Sequence, residues 1–241
     1  MIVSVHQPHY IPWLGYFDKI DKSDCFVFLD NVQYKHREYQ NRNKIRAKSS
    51  WIWLTVPIIY KGHAHQKVYE VQIDNGYDWQ KKHWGSLKAC YGKSAYFDEY
   101  APFFEKLYSS SCRWEMLMDL NVHIIKYILR QLKIEKPLYY ESEIGTTKEA
   151  TERIIEICKK LKCDTYLSGI GGKVYLEEEK FTQAGIKLEY QNFIHPCYPQ
   201  QFSAANNPFL PYMSIVDLLF NAGKESTGIL RGETCMKNIG G

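Results

Sequence analysis

The chain has 241 residues, 45% of them hydrophobic, so it can bury a full core; one domain over residues 1–241 is expected, with a helical insertion at about 76–135. Its net charge of +4 comes from Lys and Arg interleaved with Asp and Glu; this suits a small anionic ligand and excludes the dense basic stripe of a nucleic-acid binder. Seven cysteines without a CxxC pair point to reduced thiols and a cytoplasmic protein, and the absence of a signal peptide or an apolar run of about eighteen residues excludes secretion and a membrane span.

Ile2 to Val5 reads as a buried strand that stops at His6-Gln7-Pro8-His9, where groups able to donate, accept or titrate begin. Pro12 suits the first position of a helix carrying Trp13, Phe17 and Ile20 on one face. Cys25 to Leu29 is a second strand, closed by Asp30-Asn31. A strand, helix, strand order is a βαβ unit, and ligands gather at the carboxyl ends of its parallel strands. His6, His9 and Asp30 are therefore the candidate catalytic residues, with Gln7, Tyr10 and Tyr34 as candidate ligand contacts beside them.

The polar run that follows, Lys35 to Arg46, reads as a loop on the ligand face. Arg37, Arg42, Asn43 and Lys44 are its candidate anion contacts, because guanidinium groups bind phosphate bidentately. Trp51 to Val56 reads as a third strand and Val68 to Ile73 as a fourth, or as the return arm of a hairpin. Between them, His63 and His65 lack a third ligand at fixed spacing, so no metal site is assigned.

Helical periodicity takes over from Asp78 to Leu132. Asp78 and Asp98 are placed to cap two helices, and Leu117, Ile124, Ile125, Ile128 and Leu132 hold one face of a third. His123 sits within that helix and is read as structural. Pro137 to Tyr140 resumes a strand, and Thr146-x-x-Glu149 has the capping-box pattern ahead of a helix through Leu161.

Asp164 to Leu167 is a short strand that delivers Ser168-Gly169-Ile170-Gly171-Gly172-Lys173 into a helix expected at Val174 to Ala184. A strand, glycine-rich turn and helix form a ready anion site, although the spacing is not that of a Walker loop. Ser168, Gly169, Gly171, Gly172 and Lys173 join the candidate contacts. Lys187 to Tyr190 is the last strand. In the long passage Gln191 to Pro211, His195 and Tyr198 could stack on a sugar or base, while nothing near Cys197 marks a stabilised thiolate. Ser214 to Asn221 reads as a short helix in which Asp217 anchors buried hydrogen bonds, and the tail from Glu233 reads as loose.

His6-Gln-Pro-His9 before a helix, with an acidic residue ending the next strand, resembles the HxGH turn of nucleotidyl-transferring α/β enzymes such as pantothenate synthetase. The resemblance implies imidazoles that face the phosphates of a nucleoside triphosphate, and a phosphate-contacting loop at Ser168 to Lys173. One departure is Pro8, which replaces the usual glycine. The longer segments HQPHYIPWLGYFDKI, DNVQY with NRNKI, SGIGGK, and HPCYPQ through SIVDLLFNAG resemble the WbqC-like family. That resemblance implies work among surface-polysaccharide and O-antigen assembly genes, in the decoration of amino sugars.

The fold expected is a mainly parallel, Rossmann-like, three-layer α/β sheet with strands near residues 2, 25, 51, 137, 165 and 187. The function expected is acyl or aminoacyl transfer to the amine of a nucleotide-linked amino sugar. A nucleotidyltransferase making a sugar nucleotide and a non-catalytic sugar-nucleotide binder are the alternatives. No resident cofactor is assigned; ATP, with magnesium, is a candidate substrate. The partner expected is a small molecule, with no nucleic acid, and the assembly state is open.

Overall fold

The computed structural model describes residues 1–62 and 65–233, so His63 and the tail beyond Glu233 lie outside it. In chain order the elements open with β1 (Ile2–His6), α1 (Leu14–Asp21), β2 (Cys25–Phe28), β3 (Arg42–Arg46) and β4 (Trp51–Thr55). Helices α2 (Trp79–Tyr91), α3 (Phe97–Leu107) and α4 (Leu117–Gln131) follow, then β5 (Leu138–Tyr140), α5 (Glu141–Ile144) and α6 (Ala150–Lys160). The chain closes with β6 (Thr165–Ser168), α7 (Glu178–Gln183), β7 (Lys187–Tyr190), α8 (Ile215–Ala222) and α9 (Ser226–Arg231).

Five of the strands form one sheet in the order β5-β2-β1-β6-β7, with every neighbouring pair parallel. Alternation along β2 shows why it is covered on both faces. Phe26 and Phe28 join a core with α1, α4 and α8, whereas Cys25 and Val27 join a second core with Ile154, Cys158 and Phe181 from α6 and α7. The result is a Rossmann-like α/β fold with helices on both sides of a parallel sheet. Its strand order reverses between β1 and β6, and at such a point the outgoing loops diverge and leave a crevice at the strand carboxyl ends.

The periodicity read for α4 holds: Leu117, Leu120, Ile124, Ile125 and Ile128 are all buried. Other expectations are corrected. Trp51 to Thr55 does not enter the main sheet but pairs antiparallel with Arg42 to Arg46, a segment read as loop because its side chains are polar. Val68 to Glu70 is a single 3₁₀ turn, and only the isolated bridges Ile58 to Ile73 and Gln72 to Met116 remain of the expected fourth strand. The helix expected at Val174 to Ala184 is a 3₁₀ turn at Ile170–Val174 followed by the short α7.

Capping differs as well. Asp78 occupies the position before α2 without a side-chain bond, and Asp98 lies inside the first turn of α3. Thr146 does not cap α6; its hydroxyl donates to Glu141, while Glu156 accepts from the amides of Thr147 and Lys148 at 2.8 and 3.1 Å. Among the described residues no helix is long and apolar enough to cross a membrane.

Candidate functional site

A cleft of about 560 Å³ opens where β1 and β6 part, lined by His6, Gln7, His9, Lys35, Glu38, Arg153 and Tyr175 among others. It continues into a lobe of about 390 Å³ that shares Val32, Gln33, Ala150 and Arg153 with it. The turn that carries the histidines is held from three sides. Asn121 of α4 donates to the carbonyls of Pro8 and Gln40 at 3.0 and 2.7 Å. Gln40, fully buried, donates to Gln7 Oε1 at 2.5 Å and accepts from the Lys35 amide at 3.2 Å. The Tyr16 hydroxyl donates to the Gln7 carbonyl at 3.2 Å. These bonds from Asn121, Gln40 and Tyr16 fix the turn without a glycine.

The His6 and His9 rings meet edge to face with centroids 4.5 Å apart, and both touch Tyr16. His6 Nδ1 lies 3.1 Å from the Gln7 carbonyl. A carbonyl only accepts, so Nδ1 carries the proton and Nε2 keeps the lone pair of a neutral ring. Both rings are half-buried in the cleft wall, and desolvation there, with the Lys19 ammonium adding repulsion, keeps them neutral; His6 titrates well below its ordinary range and His9 at about 3. Lys19 is itself buried on α1, donates to the Val5 carbonyl at 3.1 Å, and is lowered by burial to about 7.

These shifts fix a pH dependence. Unfolding exposes rings that titrate near 6.5, so the unfolded chain takes up protons first and stability falls as pH drops from there toward about 3. Lys19 acts in another window: unfolded it holds a proton up to about 10.5, so stability rises with pH between about 7 and 10.5. Denaturant unfolding across this range should show both slopes, and Lys19→Met should abolish the alkaline one. A wild-type profile flat on both sides of neutrality would contradict the burial of these groups.

Several expected contacts lie elsewhere. Asp30 is 1% exposed, and its carboxylate accepts from the Ser142 amide and hydroxyl at 2.9 and 2.5 Å. It faces a different cavity of about 610 Å³ between α4 and β5, not the histidines. Tyr10 is buried with its hydroxyl 2.8 Å from His83 Nδ1 and 2.5 Å from the Tyr108 hydroxyl. Tyr34 packs into the core beside Tyr60, and Asn43 donates to the Ile11 carbonyl at 2.9 Å.

Arg37 is exposed and its carbonyl accepts from Arg42, whose guanidinium lies 4.3 Å from the Trp53 ring centre. Lys44 sits 4.5 Å over Trp51. Neither cation lines the cleft.

In the glycine-rich turn, Ser168 Oγ donates to the Gly169 carbonyl at 3.0 Å, and a β-carbon on Gly172 would collide with that hydroxyl. The glycine here permits close packing. Gly169 and Gly171 face open space. Lys173 turns onto Tyr190, 5.0 Å from its centroid, and Tyr175 is the residue of this segment that reaches the cleft. His195 spends both nitrogens, donating to the Pro196 carbonyl at 2.8 Å and accepting from the Tyr212 amide at 3.1 Å. Tyr198 donates to Asp217 at 2.7 Å.

The cleft residues that sequence reasoning missed are Lys35, Glu38, Arg153 and Tyr175, together with Lys19 beneath the rings. Lys35 and Glu38 stood in the polar run but carried no phosphate argument. Arg153 looked like an ordinary charge on an amphipathic helix. Only its place in the first turn of α6, which ends at the cleft, could have singled it out.

A profile of the WbqC-like protein family matches residues 7–229. The chain is also 34% identical over 229 residues to a Mycobacterium tuberculosis protein titled "Uncharacterized protein Rv1507c", covering 95% of this chain and 97% of that one. No solved structure matches. The match begins at Gln7, directly after β1 and His6, and runs on through His9, Lys35, Arg153 and Tyr175 of the cleft into α9, and the chain belongs to the WbqC-like protein family.

Proposed function

We propose that the cleft performs acyl or aminoacyl transfer to the amine of a nucleotide-linked amino sugar in the cytoplasm, as part of surface-polysaccharide assembly. The observation that carries this reading is the pair of neutral imidazoles at the switch point of a parallel sheet, with the lone pair of His6 Nε2 unspent by its own hydrogen bonding. An amine attacking an activated acyl carbon becomes acidic as the new C–N bond forms, and a neutral imidazole takes that proton. His9 is the neighbouring donor for the acyl oxygen, whose charge grows in the tetrahedral intermediate. Collapse of that intermediate expels the activating group, an adenylate where ATP is the activator or a thiol where the donor is a thioester.

Nucleotidyl transfer is the weaker reading. A lone pair on His6 repels a phosphate oxygen, and Lys173, the cation of the glycine-rich turn, turns to Tyr190.

The deciding experiment incubates the protein with nucleotide-linked 3- and 4-amino sugars and either ATP with a carboxylic or amino acid, or an acyl thioester, and follows the sugar by mass spectrometry. A product heavier by the acyl group is expected. Incorporation of a nucleotidyl group, or binding of the sugar nucleotide without turnover in the presence of every donor class, overturns the reading. Thermal shift ranks the ligands beforehand, since one present at a hundred times its Kd stabilises the fold by about 2.7 kcal/mol.

A further inference from the structure

The lobe beyond the histidines is built around one residue that the chemistry above does not use. Asn31, directly after β2 and Asp30, accepts from Lys67 Nζ with its side-chain oxygen at 2.6 Å and from Arg153 Nη1 with its carbonyl at 3.4 Å. Its amide donates to Glu141 Oε2 at 3.1 Å. Glu141 is fully buried, takes the Thr146 hydroxyl, and stands 3.7 Å from Arg153 Nε, which also donates to the Lys148 carbonyl at 2.9 Å. Each cation is thus tethered on one side. The inner edge of the guanidinium is spent on Glu141 and two carbonyls, while Arg153 still lines both lobes and Lys67 lines the outer one with His65 and Glu149.

Such tethering has a cost that a surface lysine and arginine would not bear. Long cationic side chains lose rotamer freedom when fixed, and exposed ion pairs rarely return it. Two cations held by one asparagine are preorganised for a ligand with two adjacent anionic groups. A guanidinium edge and an ammonium together present several N–H donors to phosphate oxygens. A single carboxylate would be satisfied by one of them.

We propose that this lobe binds the diphosphate of a nucleotide-linked substrate, gripped by Arg153 and Lys67 and set in register by Asn31, so that the sugar beyond it reaches His6 and His9 in the adjoining lobe. The direction of the ligand rests on the reading of the histidine pair as the reacting centre; the diphosphate site itself does not. Glu149 at the rim disfavours additional anionic groups there, which limits the lobe to one diphosphate.

Calorimetric titration of the full chain with inorganic pyrophosphate, orthophosphate and acetate tests this without any turnover. Pyrophosphate is expected to bind at least about tenfold more tightly than either of the others, with an affinity that falls as salt is raised. Lys67→Gln and Arg153→Lys should each weaken pyrophosphate by about tenfold or more, the second because the planar fork is lost while the charge and the neutralisation of Glu141 are kept. His6→Gln should leave the titration unchanged. Pyrophosphate binding that is indifferent to both cation variants, or matched by acetate, overturns the diphosphate site. If instead the cation variants behave as expected and His6→Ala retains full turnover, the diphosphate site stands and the reacting centre lies elsewhere.

Discussion

His6→Ala is expected to lower the turnover of amide transfer by about 10²-fold or more while leaving the KM of the nucleotide-linked substrate nearly unchanged, as for a group that acts chiefly in the transition state. The argument rests on the tautomer. With Nδ1 committed to the Gln7 carbonyl, Nε2 is the nitrogen able to accept a proton, and the half-buried ring, held well below its ordinary range by desolvation, starts neutral. Added imidazole should restore part of the activity to His6→Ala, because the missing group is a base and the alanine leaves room for one. His9→Ala should also lose turnover but gain little from imidazole, since its part is donation at a fixed point. Arg42→Ala is the control: its guanidinium lies on Trp53 outside the cleft, so turnover and KM should both hold. A His6→Ala protein that melts lower yet turns over fully per folded molecule would reduce the histidines to structural hydrogen bonds at a strand end.

The parallel sheet was legible because buried strands such as Cys25 to Leu29, and Ile2 to Val5 with Ser4 its one polar residue, are near-continuously apolar, a pattern that needs no neighbours to interpret. The β3–β4 hairpin was not. Arg42, Asn43, Lys44 and Arg46 carry no apolar period, and their strand exists because Asn43 and Arg46 are buried against other elements: Asn43 by its bond to the Ile11 carbonyl, Arg46 by the Tyr91 hydroxyl that its amide reaches at 2.9 Å. Tertiary hydrogen bonds override local pattern there.

The candidate site divides the same way. The histidine turn could be found as a polar break after an apolar strand. Asp30 shared that location but ends on Ser142, because a carboxylate at a strand end can serve the start of the helix that follows the neighbouring strand, here α5 after β5, as readily as a ligand. Whether His195, Tyr10 or Lys173 meets the cleft depends on the direction of a side chain, which residue type and spacing do not encode. Arg153 and Lys67 are 86 positions apart and meet only through Asn31.

Asp217→Ala should be the most destabilising single substitution named here, costing about 3–5 kcal/mol. The carboxylate is fully buried on α8 and accepts from Tyr91 at 2.8 Å, Tyr198 at 2.7 Å and Gln200 at 2.6 Å. Burial raises its pKa while these donors and the nearby Arg46 charge oppose the rise. Alanine leaves three donors facing one another in a site closed to water, and it cuts the tie between α2, α8 and the irregular passage from Gln191 to Pro211. For a chain of this size the melting temperature should drop by roughly 10 °C. Asp217→Asn should cost less, because the amide oxygen still accepts and the tyrosine hydroxyls can turn to donate elsewhere, but its NH₂ group opposes the Gln200 donor. Activity per folded molecule should survive both changes, since Asp217 serves the passage that packs over α8 and not the cleft. A Tm within about 2 °C of wild type for Asp217→Ala would mean that water satisfies the three donors. The long passage would then owe its order to the packing of Phe193, Phe209 and Tyr198 against the core rather than to this carboxylate.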